Sequence, residues 1–193
     1  MRVLAAAICA LLLSIACSEP PQKEIDRAQG AIDAAQAAGA EQYAREPFNA
    51  ATTAMKQTHE AVQQRDYRLA LSRAIDANER ALEAAREAAN GRARAQSDAE
   101  AAINRLMITV RQLEERIKAA EAARLPARET ESIRRTRADA QKALQEARAA
   151  VASGNYLQAL AMTKGLAERI TVEIRTLNET IDARAGRGAR RRR

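Results

Sequence analysis

Few side chains in this sequence are equipped for chemistry. Among 193 residues there are one histidine, His59, and two cysteines, Cys9 and Cys17. Cys17 has the most informative setting. It closes an uninterrupted apolar run, Val3 to Ala16, that follows the single basic residue Arg2, and it opens the polar stretch Ser18-Glu19-Pro20-Pro21-Gln22-Lys23. The run is too short to cross a hydrocarbon core as a helix, which takes about 20 residues. A charge, a short apolar core and small residues before a cut are the parts of a cleaved export signal. The expected cut falls between Ala16 and Cys17. It makes residues 1–16 a signal peptide and Cys17 the new terminus.

The order Ser14-Ile15-Ala16-Cys17 resembles the lipobox of bacterial lipoproteins, in which the cysteine sulfur receives a diacylglycerol before the signal is removed. The commonest form has Leu three residues before Cys; here Leu13 stands one place further back and Ser14 takes that position. Cys9 follows bulky Ile8, which does not suit the cut. The competing readings of Cys17 are a disulfide partner or an inert thiol in an uncleaved anchor. If Cys9 leaves with the signal, the mature chain holds one cysteine and no intramolecular disulfide can form, so acylation explains the remaining thiol best. The resemblance implies a covalent lipid on Cys17, palmitate included, and stable anchoring takes more than one acyl chain. With Ser18 rather than Asp in second place, it also implies an outer-membrane anchor facing the periplasm in preference to inner-membrane retention.

The composition describes what the anchor would carry. Hydrophobic residues make up 47% of the chain, yet it has one Phe, three Tyr and no Trp. Alanine supplies much of that count, which disfavours a large globular core and favours helices packed through small side chains. The formal charge of +7 is local. Arg2 together with Arg184, Arg187, Arg190, Arg191, Arg192 and Arg193 accounts for all of it, and the body is neutral.

The elements follow from apolar spacing. Residues 17–23 read as a tether stiffened by Pro20 and Pro21. Ile25, Ala28, Ile32 and Ala35 mark a first helix, interrupted from Gly39 to Glu46. Pro47 suits the first turn of a second helix, where its missing N–H costs nothing, with Phe48, Ala51, Met55 and Val62 on one side. Asp66 caps a third, beginning with Tyr67 and Leu71. If Gly91 is tolerated mid-helix, at about 1 kcal/mol relative to Ala, this helix continues to Arg124 and carries Ala99, Ile103, Leu106, Val110, Leu113, Ile117 and Ala120 in heptad-type spacing. After Pro126 a fourth helix bears Ile133, Ala140, Leu144, Ala147 and Val151. Asn155 is expected to cap a fifth, striped by Tyr156, Leu160, Thr163, Ala167, Ile170, Ile174, Leu177 and Ile181.

These pieces repeat. AIDAAQAAGA at 31–40 matches RIKAAEAARL at 116–125 with an offset of 85. Past the loop the offset becomes 89, so Ala51, Met55, Ala61 and Val62 fall on Ala140, Leu144, Ala150 and Val151, and Asp66-Tyr67 on Asn155-Tyr156. The expected fold is all-α: an elongated helical bundle of two tandem three-helix units, 24–90 and 91–183, sharing a long central helix. Residues 184–193, with Gly186, Gly188 and like charges, are expected to be a disordered Arg-rich tail.

The stretch AAQAAGAEQYAREPFNAATTAM followed by RDYRLALSRAIDANERALEAAREAA resembles the bacterial domain-of-unknown-function family 4398. That family pairs an Ala-Gly-Ala loop and a proline-led helix with a Tyr-x-x-Ala-x-x-x-Ala helix, often directly after a lipoprotein signal. The resemblance covers about residues 25–89. The second copy, with Leu125-Pro126 in place of Ala-Gly-Ala, matches weakly. It implies a helical fold and an envelope location, and it supplies no catalytic residues. In some relatives an OmpA-type peptidoglycan-binding domain follows, and the sequence carries none.

Catalysis finds no constellation. His59 falls between Met55 and Val62, and its repeat equivalent is Arg148, which suits a solvated edge. Metal sites need several converging ligands, and neither a glycine-rich phosphate loop nor a Gly-x-Ser-x-Gly elbow occurs. Glu114 and Glu115, as helix neighbours, do not face one direction. The sequence therefore reads as a non-enzyme without metal or cofactor beyond the covalent lipid. The leading function is a lipid-anchored periplasmic scaffold, adaptor or spacer of the cell envelope, with a protein partner or self-association through its helices. The alternative is an envelope-ligand-binding module for peptidoglycan or anionic lipid, using an interhelical groove or the arginines at 184, 187 and 190–193 as an anionic-surface contact. A cytoplasmic nucleic-acid binder is disfavoured, because arginines alone give unspecific polyanion affinity and aromatic stacking platforms are missing.

Overall fold

The computed structural model describes residues 19–190. Among them all regular structure is helical: α1 (Gln22–Ala37), α2 (Ala40–Tyr43), α3 (Arg45–Gln63), α4 (Tyr67–Ala122), α5 (Ala127–Ala152), α6 (Tyr156–Thr163) and α7 (Leu166–Arg190). The chain divides into two compact units, Met1–Arg92 and Ala93–Arg193. The 56-residue α4 contributes to both.

In the first unit, α1 buries Ile25, Ala28, Ile32 and Ala35, and α3 buries Phe48, Ala51, Ala54 and Met55. The side that α4 brings to this core is alanine throughout: Ala74, Ala77, Ala81, Ala84 and Ala88 are all fully buried, and Ala70 with them. Their spacing alternates four and three residues, the heptad rule met with the smallest apolar side chain. Small residues let helix axes approach to the short end of the usual 8–10 Å range. Leu71, near the start of the helix, lies one position off this stripe and is exposed. In the second unit the same helix turns to bulk: Ile103, Leu106, Val110, Leu113 and Ile117 pack with Ile133 and Leu144 of α5 and Ile170 and Leu177 of α7.

The loops separate the helices by left-handed backbone. Gly39 (φ 87°) ends α1 and Arg124 (φ 53°) ends α4, at the offset of 85. Arg65 (φ 59°) and Gly154 (φ 78°) end α3 and α5, at the offset of 89. At Arg65 the Asp66 amide donates to Ala61 O (2.9 Å) and the Arg65 amide to Val62 O (3.0 Å). At Gly154 the Asn155 amide donates to Ala150 O (2.8 Å) and the Gly154 amide to Val151 O (3.0 Å). Both are Schellman endings, which satisfy carbonyls that the last turn leaves open.

Several sequence expectations need correction. The interruption at 39–46 contains the short α2. The segment after Asn155 is two helices: Lys164 is extended (ψ 124°) and Gly165 takes φ 71°, because a residue without Cβ accepts that conformation at low cost. Asp66 caps α4, its Oδ1 accepting from the Leu69 amide at 2.9 Å, whereas Asn155 makes no cap bond and donates instead to Ser153 Oγ at 3.2 Å. The tether is shorter than expected, since α1 starts at Gln22 on Pro21. At the other end α7 continues through Gly186 to Arg190, past the predicted start of disorder at 184. Glycine lowers helix propensity by only about 1 kcal/mol and does not forbid the helix.

Candidate functional site

The residues singled out for chemistry fall partly outside the described residues. Ala16 and Cys17 lie outside the described residues, as do Arg191, Arg192 and Arg193. Arg190 ends α7, and its side chain is likewise outside the description. Arg184 and Arg187 are exposed on α7, three residues apart and so on neighbouring parts of one face.

His59 is exposed on α3. It borders an open groove between α1 and α3 with Gln29, Ile32, Met55, Lys56 and Glu60. Arg148, its repeat equivalent, is also exposed and reaches Met107 Sδ at 3.2 Å. Glu114 accepts from Gln141 Nε2 at 2.8 Å, while Glu115 faces solvent, so the adjacent acids do not converge. Among the described residues no three His, Cys, Asp or Glu gather in metal-binding geometry. None of their helices is long and apolar enough to cross a membrane. In the second unit Thr136 Oγ1 on α5 donates to Glu173 Oε1 on α7 at 2.8 Å, and Glu173 also lines a small recess with Ser132, Ile133, Leu177 and Thr180.

Tyr67 and Tyr156 are both half-buried. Tyr156 packs against its unit's core, beside Val151 and Leu160 in the same cluster.

One surface escaped the sequence reading. Leu71, Ile75 and Leu82 are 38, 46 and 47% exposed, on the same helix whose alanine series from Ala70 to Ala88 is fully buried. With Asn78, Ala85 and Ala89 they form a second series spaced four, three, four, three and four residues, each member one place after a buried alanine. The signal was in the sequence as two interleaved heptad series. Spacing alone could not say which was inside; the one cue was Asn78, a polar member of the outer series where the inner one is alanine throughout.

No family model, no curated protein and no solved structure matches this chain. The resemblance to family 4398 therefore stands on the residues quoted for it. The class that the fold itself defines is an all-α protein of packed helices.

Proposed function

We propose that this chain is a non-catalytic lipoprotein of the bacterial cell envelope, held at the outer membrane by lipid on Cys17 and offering its helical units to the periplasm as a scaffold or adaptor. The observation that carries this reading is the order of residues at the N-terminus: Arg2, the apolar run Val3 to Ala16, Ile15-Ala16-Cys17, then a polar Pro-Pro stretch leading straight into α1 at Gln22. The sequence offers a single histidine, His59, and the adjacent acids Glu114 and Glu115 do not converge, which supports a role without catalysis, since reaction chemistry needs groups within hydrogen-bond reach of one substrate. The resemblance to family 4398 points to the same location.

The test is fractionation with intact-mass measurement. The chain is expected in the outer-membrane fraction, beginning at Cys17 and heavier by a diacylglycerol and an amide-linked acyl chain. Cys17→Ser should leave an unprocessed precursor or a soluble product. An unmodified Met1–Arg193 chain in wild-type membranes contradicts the proposal.

A second reading is favoured by one observation, the concentration of six arginines without an acid between 184 and 193. It gives the C-terminal segment a contact on an anionic envelope surface: lipid headgroups, lipopolysaccharide phosphates or cell-wall carboxylates.

A further inference from the structure

The outer series on α4, in which Leu71, Ile75, Leu82 and Ala89 are exposed while Asn78 and Ala85 are half-buried and Ala85 also touches the first core, has a property that its individual residues do not have: it is complementary to itself when reversed. Run antiparallel to a second copy about a two-fold axis passing at residue 80, the series pairs Leu71 with Ala89, Ile75 with Ala85 and Leu82 with Asn78, and each pairing occurs twice. No two large apolar side chains are paired. The outer layers set leucine and isoleucine against alanine, the large-to-small alternation that lets facing layers interdigitate. The four-and-three spacing is the one that keeps a seam facing its partner along a helix pair.

Side chains on a helix lean toward its N-terminus, and that decides what happens near the axis. The two Leu82 side chains lean toward each other and close the centre of the seam. The two Asn78 side chains lean away from the axis, each toward Arg86 of the other copy. A single polar residue in an apolar seam costs stability and fixes the register in which it finds a partner.

The flanking charges agree with this register independently. Glu79 and Arg86, both exposed, border the seam on the side away from the buried alanines. In the antiparallel pair, Glu79 of one copy and Arg86 of the other lean toward each other, while the two Glu79 side chains lean apart. The two-fold makes two Glu79–Arg86 pairs, as an isologous interface requires. A parallel pair would instead set leucine on leucine and alanine on alanine, with Glu79 and Arg86 beside the buried alanines and no charge to meet.

We infer that the Leu71–Ala89 face of α4 is a self-association surface, on which a second copy of this chain docks antiparallel with Leu82 against Asn78 and Glu79 against Arg86. The face lies wholly in the first unit, and the inference does not depend on the lipid anchor. The seam is about 27 Å long at 1.5 Å per residue. One helix face of that length buries less than the about 800 Å² per partner of a standard stable interface. The association is accordingly concentration-dependent, and it strengthens where copies are crowded.

Sedimentation equilibrium of the chain from Ser18 to Arg193 tests this, since every described helix and both cores begin after that point. A monomer–dimer equilibrium is expected in a series extending to millimolar chain. Leu82→Glu sets two carboxylates together at the axis and should abolish the dimer while circular dichroism keeps its helical signal. Glu79→Arg and Arg86→Glu, both at exposed positions that the fold tolerates, should each weaken the dimer several-fold, and the two together should restore it. A monomer at every concentration overturns the inference. So does a dimer indifferent to both charge reversals, a double reversal that does not rescue, or an open-ended assembly in place of a closed dimer. Loss of membrane anchoring in cells with the dimer intact in solution would fault the anchor alone.

Discussion

A Cβ added to Gly91 in the middle of α4 would stand 3.0 Å from both the Cβ and the carbonyl oxygen of Tyr43. Glycine is there so that the backbone after α2 can lie against the helix. The alanine seam ending at Ala88 continues in it, one step smaller.

The consequence is a pair of substitutions with opposite signs. Gly30 lies mid-helix in α1 with nothing within 4 Å of an added Cβ. Gly30→Ala should raise stability by about 1 kcal/mol through helix propensity alone. Gly91→Ala gains the same propensity but presses on backbone that cannot rotate away. It should destabilise by about 1 kcal/mol or more, in the range of overpacked cores. Urea unfolding of both variants decides the matter, and equal stabilisation would show that Tyr43 yields freely.

Ala81 tests the same close packing deeper in the seam. It is fully buried among α1 and α3 side chains of the first core. Ala81→Leu should cost about 1–3 kcal/mol even though leucine is nearly as good a helix former as alanine. Ala89→Leu, on the exposed side, should be close to neutral for the unfolding of dilute monomer. A comparison of urea midpoints separates packing from propensity.

Arg65 and Gly154 occupy equivalent left-handed endings with different residues, at φ 59° and 78°. A side chain in that conformation costs about 1–2 kcal/mol, and glycine's freer unfolded chain returns about 0.4–1 kcal/mol of any relief. Arg65→Gly should therefore stabilise by up to about 1 kcal/mol, while Gly154→Ala should destabilise by a similar amount. Thermal unfolding at fixed pH and salt reads both. A destabilised Arg65→Gly would mean that the arginine side chain contributes more than its backbone costs.

The helices were legible because burial writes a period into the sequence. Ile25, Ala28 and Ile32 in one unit, and Val110, Leu113 and Ile117 in the other, are buried as their spacing requires. Asp66 announced its cap because a short carboxylate before an apolar series has few other uses. The break at Lys164-Gly165 was not legible. The apolar spacing runs through it from Thr163 to Ala167 and Ile170, and the glycine's φ of 71° is a backbone choice that periodicity does not record. The surface on α4 was hidden for a related reason. Two seams one residue apart share the helix, and side-chain size alone does not say which is inside; close packing of alanine leaves Leu71, Ile75 and Leu82 on the exposed side. Of the groups marked for chemistry, the tail charges were plain from composition, but the extension of α7 to Arg190 was not, because propensity at Gly186 argues weakly against a helix that has already formed.

That extension bears on what the arginines do. Arg184 and Arg187 project from α7 into solvent within one turn of each other, so their charges act from a helix end instead of a free coil. Near an anionic bilayer each arginine contributes about 1 kcal/mol, and four engaged residues would hold the C-terminal end of an anchored chain against such a surface. The attraction is electrostatic and must fade as the Debye length falls from about 10 Å at 0.1 M salt to about 3 Å at 1 M. Two non-lipidated chains, one ending at Arg193 and one at Ala183, are compared on anionic vesicles, neutral vesicles and isolated cell wall. The longer chain should bind the anionic surfaces at low salt, release them at high salt and ignore neutral vesicles. The shorter one should bind none. Replacing Arg184 and Arg187 with glutamine in the longer chain should weaken vesicle binding by about 2 kcal/mol. Equal binding by the two lengths, or tail-dependent binding that salt does not disturb, would remove the docking role and leave the arginines as a solvated helix end.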